Sequence, residues 1–179
     1  VKTATDAIVR SARLDLPLLE PDLLDALIGD QRAAIDAITG YHVPASFPDA
    51  EQREFLRFRR GQLTADPARY PWSLRAIVLR SERRMVGYVN FHGAPGVNDT
   101  NTDRAVELGW TVFPTDQKRG YATETAIALM AWATDEHGIS HFISSTTPDN
   151  AASLRVHEKL GFARTGEFID GEVIFDLRR

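Results

Sequence analysis

The chain has 179 residues, 43% of them hydrophobic, a net charge of −4 and no cysteine. That length suits one domain over residues 1–179 with a sizeable core. The absence of cysteine excludes disulfides, thiolate metal sites and a cysteine nucleophile and fits a reducing, cytoplasmic setting, while the acidic balance argues against a nucleic-acid binder and no apolar run approaches the ~20 residues of a membrane span.

In chain order, a first strand is expected over Ala7 to Leu16, with Ile8, Leu14 and Leu16 apolar. Pro21-Asp22 opens a helix carrying Leu23, Leu24, Leu27 and Ile28, and a second helical piece covers Ala33 to Thr39 before Gly40. Tyr41 to Ala50, with Pro44 and Pro48, reads as a loop. Glu51 to Ala65 is helical, with Phe55, Leu56, Phe58 and Leu63 giving a partial apolar face. Leu74 to Leu79 and Met85 to Phe91 form a hairpin about a charged turn at 81–84. Gly93 to Asp103 is an exposed loop rich in turn residues. It contains Asn98-Asp99-Thr100, a glycosylation acceptor by pattern. No charged-then-apolar signal opens the chain at Val1, so that match reads as chance.

A strand over Ala105 to Phe113 follows, then Pro114-Thr115-Asp116, then Gln117-Lys118-Arg119-Gly120-Tyr121-Ala122 opening a helix to about Glu136. Its apolar positions Ala126, Ile127, Met130, Ala131 and Ala133 mark a buried face, and Gly138 caps it. Ile139 to Ser145 is a strand, Asn150 to Leu160 a short helix closed by Gly161, and Phe162 to Arg164 with Glu172 to Arg178 a final pair around Asp170-Gly171. A strand running through a glycine turn into a helix start is an anion-binding design. The first-turn amides have no internal partner, and the helix dipole favours negative charge there.

Two blocks carry a resemblance: Gln117-x-x-Gly120-x-Ala122, and, ~30 residues on, Asn150-Ala151-Ala152-Ser153 with Glu158-Lys159-Leu160-Gly161-Phe162. In this order, each in its element, they resemble the GNAT superfamily of acetyl-CoA-dependent N-acetyltransferases. The Gly120-Tyr121-Ala122-Thr123-Glu124 run and Arg13-Leu14-Asp15-Leu16-Pro17-Leu18 are most similar to its RimJ/RimL-type branch. The likeness is strong over about residues 85–165 and one of layout before that. It implies an α+β fold, a mixed and mostly antiparallel sheet of six to seven strands flanked by helices, with the fourth and fifth strands splayed.

The resemblance also implies roles. Main-chain amides of Gln117 to Ala122 would hold the coenzyme diphosphate, with a hydroxyl from Thr123 and with Lys118 and Arg119 as charge-assisted donors to the ribose phosphate. Backbone groups of Trp110, Thr111, Val112 and Phe113 would pair with the pantetheine arm as with an added strand. Asn150 would reach that arm from the other side, next to Ser153; helix capping is the alternative for Asn150, a task Asp149 could share. The reaction is attack of an amine on a thioester. The amine must first be neutral, so a base is needed. Glu107 is the expected base, directly or through water, with burial raising its pKa; the plain alternative is a strand glutamate paired with an arginine. His157 stands where many members place a tyrosine acid, with Tyr121 or water as substitutes. His92 is a second base candidate, and Tyr41 and His42 are candidates for acceptor contact. No metal is expected. The partners implied are an amine acceptor, either a protein N-terminus or a small molecule, with no nucleic acid and no membrane, and a homodimer is admitted. The alternative in another class is an acetyl-CoA-binding module acting as a sensor.

Overall fold

The computed structural model describes residues 8–179; Ala7, expected to open the first strand, lies outside them. The fold is α+β, and among the described residues eight strands lie in the order β1-β2-β3-β4-β5-β6-β8-β7, one or two more than expected, with flanking helices. The chain divides into two compact units, the first ending at Tyr88 and the second covering Val89–Arg179.

In the first unit the expected opening strand is two: β1 (Val9–Arg10) and β2 (Leu14–Leu16), antiparallel to each other with Val9 opposite Leu16. The break is a turn in which the Ser11 hydroxyl accepts from the Leu14 amide at 3.0 Å and the Ser11 amide donates to the Leu14 carbonyl at 2.9 Å. A local hydroxyl-to-backbone bond competes with the strand ladder, and a run of alternating residues does not reveal it. Helix α1 (Pro21–Ile28) buries Leu23, Leu24, Ala26 and Leu27. A short α2 (Arg32–Ile38) follows, then α3 (Ala50–Ala65), opened by a reciprocal capping box between Asp49 and Gln52. Helix α3 buries Leu56 and Leu63, whereas Phe58, expected on the apolar face, is exposed. Strand β3 (Arg75–Leu79) is wholly buried and lies antiparallel to β2.

Arg75 is 1% exposed. Its Nη1 donates to the Leu16 carbonyl at 3.1 Å and its Nη2 to that of Pro71 at 3.4 Å. Burial pulls its pKa down to about 10, which leaves it charged at neutral pH. The guanidinium therefore ties β3 to the end of β2. Tyr41 borders a cavity of ≈ 420 Å³ with Asp15, Leu18, Arg80 and Arg83, and burial raises its phenol. His42 exchanges backbone bonds with the start of β4 (Arg84–Phe91), donating to the Arg83 carbonyl at 2.7 Å and accepting from Met85 at 2.9 Å.

The second unit holds the end of β4, then β5 (Val106–Val112), a 3-10 turn (Pro114–Asp116), α4 (Tyr121–His137), β6 (His141–Thr146), α5 (Ala151–Leu160), β7 (Ala163–Ile169) and β8 (Glu172–Arg178). β8 lies antiparallel between β6 and β7. β5 and β6 are parallel, as a helical crossover permits, but their registered pairs are only Val106–Phe142 and Glu107–Ile143. Beyond Glu107 the two strands part, and Gly109 to Val112 are half-buried. With eight strands the separating pair is therefore the fifth and sixth. Helix α4 buries Ala126, Leu129, Met130 and Ala133 at helical spacing; Ile127, expected on that face, is 48% exposed because it points about 100° away.

Arg75→Ala is expected to cost about 3 kcal/mol, since it leaves a cavity and strips two carbonyls of their donor. Urea unfolding of variant and parent measures it.

Candidate active site

The strand alternation sets the site. One face of the second unit's sheet packs Ala105, Ile143 and Ile174 together. Two residues along each strand the same face turns polar, with Glu107, Ser145 and Glu172. Glu107 is 0% exposed. Its Oε2 accepts from the Asp99 amide at 2.8 Å and lies 3.4 Å from His92 Nδ1, and its Oε1 accepts from the Ser145 hydroxyl at 3.2 Å. The Ser145 hydroxyl also touches Glu172. Burial pushes the Glu107 pKa up, but His92, the Asp99 amide and Ser145 outweigh it, so the net direction is down. The expected rise by burial does not occur, and the partner is a histidine rather than an arginine.

Asp99 goes the other way: burial and then the Glu107 charge raise its pKa, against a lowering by His92, with Glu172 and Asp170 adding further negative charge. Ligand atoms of His92, Asp99 and Glu107 lie within 4.8 Å of one another, a spacing a cation could bridge. The Glu107 oxygens are nonetheless already engaged by an amide, an imidazole and a hydroxyl.

His157 occupies the other face. It is fully buried, with its ring stacked on Phe175 at 4.1 Å and tilted against Trp110 at 5.0 Å. Nδ1 meets the Ser153 carbonyl at 2.8 Å, so it carries the proton, and Nε2 then accepts from the Ser144 hydroxyl at 2.9 Å. Burial lowers its pKa to about 4. The imidazole is neutral at physiological pH, and its one proton is committed to a carbonyl. Glu107 and His157, named together as base and acid, are thus brought to opposite faces of one sheet.

The turn between β5 and α4 has two left-handed residues, Lys118 at φ 62° and Gly120 at φ 82°. Gly120 is the N-cap of α4 and has no side chain with which to cap the first-turn amides. Lys118 is a lysine held where glycine is usual. Gln117 Nε2 donates to the Val112 carbonyl at 3.1 Å and ties the turn back to β5. Gln117 to Gly120 are exposed, while Tyr121 is buried and Ala122 and Thr123 are half-buried. Successive amides in such a turn form a concave nest for an anion. Asn150 is exposed and caps α5, accepting from the Ser153 amide at 3.1 Å. Trp110 packs with its ring toward His157, and Phe113 is buried.

A family model described as an acetyltransferase (GNAT) domain matches residues 13–163. The chain belongs to the GNAT acetyltransferase family. It is accordingly an acyltransferase. Among relatives, YjdG of Bacillus subtilis, an uncharacterized N-acetyltransferase, is 26% identical over 155 residues, 87% of this chain and 89% of that one. YnaD of the same organism is 27% identical over 122 residues, and the match spans 68% of this chain and 64% of the relative. Aminoglycoside N(6')-acetyltransferase type 1 of Salmonella typhimurium is 35% identical over 74 residues, 41% of this chain and 50% of that protein. Among solved structures, a GNAT acetyltransferase of Bacillus anthracis superposes with TM-score 0.63 at 21% identity, over 96% of this chain and 98% of the other. A Salmonella typhimurium acetyltransferase that modifies the N-terminal serine of ribosomal protein L7/L12 superposes with TM-score 0.63 at 17% identity, over 97% and 99%. RimL, the L7/L12 acetyltransferase solved with coenzyme A, gives TM-score 0.62 at 17% identity, over 96% and 98%. These structures share the GNAT fold with this chain.

Sequence reasoning did not find Asp99, Ser145 and Glu172, whose approach to Glu107 needs a loop and two further strands. The one local signal was a serine alternating with apolar residues in β6.

His157 ties stability to pH. An imidazole ordinarily near 6.5 and here about 4 takes up a proton more readily unfolded than folded, so its contribution is complete above ~6.5 and is lost as pH falls toward 4. The expected loss is about 3 kcal/mol. Urea unfolding at pH 7.5 and pH 4.5 should show it in the parent, and His157→Phe should flatten that part of the slope.

Proposed function

We propose that this GNAT protein, of the RimJ/RimL-type branch, is a cytoplasmic acetyl-CoA-dependent N-acetyltransferase that moves the acetyl group to a primary amine by direct attack in a ternary complex. The observation that carries the reading is the exposed, glycine-capped turn at Lys118 to Gly120, set at the end of a strand that has just left its parallel neighbour. The turn fits a diphosphate, and the gap fits an extended pantetheine arm. Amides of Gln117 to Ala122 would hold the phosphates with the α4 dipole behind them. Thr123 would add a hydroxyl, and Lys118 and Arg119 long-range charge. Main-chain groups of Trp110 to Phe113 would bond the arm as an added strand, and an amide near Val112 would face the thioester oxygen.

Asn150 and Ser153 bond to each other in capping α5, so their share in binding would come from the remaining Asn150 amide group and the Ser153 hydroxyl. A metal has no assigned part. His157 serves packing rather than acid catalysis, and the departing thiolate, near ~8.5 in pKa, needs little help. With no cysteine, no acyl-cysteine forms, and alignment of amine and thioester supplies much of the rate.

The acceptor is an amine, either a protein N-terminal α-amine or a small-molecule amine. The ribosomal-protein and aminoglycoside acetyltransferases among the similar proteins represent these two choices. Assay of acetyl transfer to a seryl-terminated peptide, spermidine and tobramycin separates them; strong acetyl-CoA binding with no turnover across a broad amine panel would instead favour a sensor module.

Gly120→Glu adds negative charge and a Cβ at a left-handed position, where the phosphates would sit. It is expected to abolish acetyl-CoA binding in calorimetry with the fold retained by circular dichroism. Unchanged affinity would refute the assignment of this turn.

A further inference from the structure

We propose that His92 is the group that takes the amine proton and that Glu107 is the positioning group that holds it. The inference rests on the acetyl-transfer reading above. The two residues are joined twice: the His92 amide donates to the Glu107 carbonyl at 2.8 Å, and His92 Nδ1 lies 3.4 Å from Glu107 Oε2. Glu107 itself is sealed, 0% exposed and engaged by the Asp99 amide and the Ser145 hydroxyl, so an acceptor amine has no path to it. The His92 side chain is 32% exposed. Its Nε2 edge faces β5 where that strand separates from β6: a Cβ built on Gly109 would stand 3.5 Å from Nε2 and 3.7 Å from Asn90 Oδ1. Gly109 is the first half-buried residue of the strand expected to carry the thioester. The imidazole edge therefore borders the region where the amine must arrive.

The chemistry favours this division of labour. A carboxylate held below its usual range is a weak base for an ammonium proton, whereas an imidazole exchanges protons near neutral pH. A buried carboxylate on Nδ1 fixes the tautomer that leaves Nε2 as acceptor and stabilises the imidazolium once formed, as in other carboxylate–imidazole pairs. The charged groups around His92 are Glu107 from β5 and Asp99 from the loop, with Glu172 and Asp170 acting on Asp99 from the β7–β8 end. In the step, the amine nitrogen bonds to the acetyl carbon and the carbon–sulfur bond breaks. The nitrogen loses one proton to His92 Nε2, and that proton passes to the departing thiolate or to solvent. The products are an amide and the free thiol, with no oxidant or other reactant needed.

Two measurements test the assignment. Diethylpyrocarbonate labels accessible imidazoles, and mass spectrometry locates the label. His92 should be labelled in the free protein and protected by saturating acetyl-CoA. His92→Ala should keep acetyl-CoA affinity by calorimetry but lose about 10²–10⁴ in kcat with the best acceptor among tobramycin, spermidine and a seryl peptide. Added imidazole should restore part of it. Glu107→Gln should lower kcat and move the acid limb of the rate profile to lower pH, because an imidazole without its carboxylate is less basic. Labelling indifferent to bound acetyl-CoA, or parental rates in His92→Ala, would overturn the His92 assignment alone. Failure of the parent to bind acetyl-CoA would instead overturn the transfer reading beneath it.

Discussion

The separation of β5 from β6 after a single turn of parallel pairing governs the second unit. Two registered pairs, Val106–Phe142 and Glu107–Ile143, bind the strands at their start. The next residues of β5 have no registered pair with β6, and from Gly109 onward they are half-buried. A buried edge of that kind would be costly in a finished core, because main-chain polar groups removed from water need partners. In the acetyl-transfer reading proposed above, the coenzyme arm would supply partners on binding.

A polar cluster sits at the fork. Glu107 belongs to the last registered pair and points into the polar end of the face, where Asp99, Ser145 and His92 complete its bonds. A lone buried carboxylate would be neutral or destabilising; with three partners it stays charged. The opposite face is closed by a different device. His157, stacked on Phe175, tilted against Trp110 and bonded to Ser144 and the Ser153 carbonyl, locks α5 against β6 and β8 in a neutral state. Strand alternation thus puts the charged cluster and the packed imidazole on opposite faces of the sheet.

The α4 entrance follows from the same economy. A glycine N-cap forfeits the side-chain bond that a serine or aspartate cap supplies to a helix, at a cost of roughly a few tenths of a kcal/mol. Here the cap residue lies in the left-handed region, preceded by a lysine in that same region two positions earlier. That combination stores backbone cost in the turn, and such cost concentrates at binding sites. By contrast α3 and α5, which open on Asp49 and Asn150, carry full side-chain caps.

The sequence by itself determined the elements with strong local signals. Pro21, Gly138 and Gly161 mark helix ends, the β3–β4 and β7–β8 hairpins follow their charged and Asp-Gly turns, and the Gln117–Ala122 turn with the Asn150 block carries the family. These depend on neighbours within a few residues, which a linear reading captures. It misjudged what depends on contacts across the chain, the broken first strand and the exposed Phe58 and Ile127, and it did not register the buried Arg75 charge. Only the tertiary structure decided the site's interior. It brought Asp99, Ser145 and His92 to Glu107 from three elements, and it put His157 on the far face, where burial removes its charge. Residue type tells which protons a side chain can hold; the company it keeps in the fold sets which of them it holds at neutral pH.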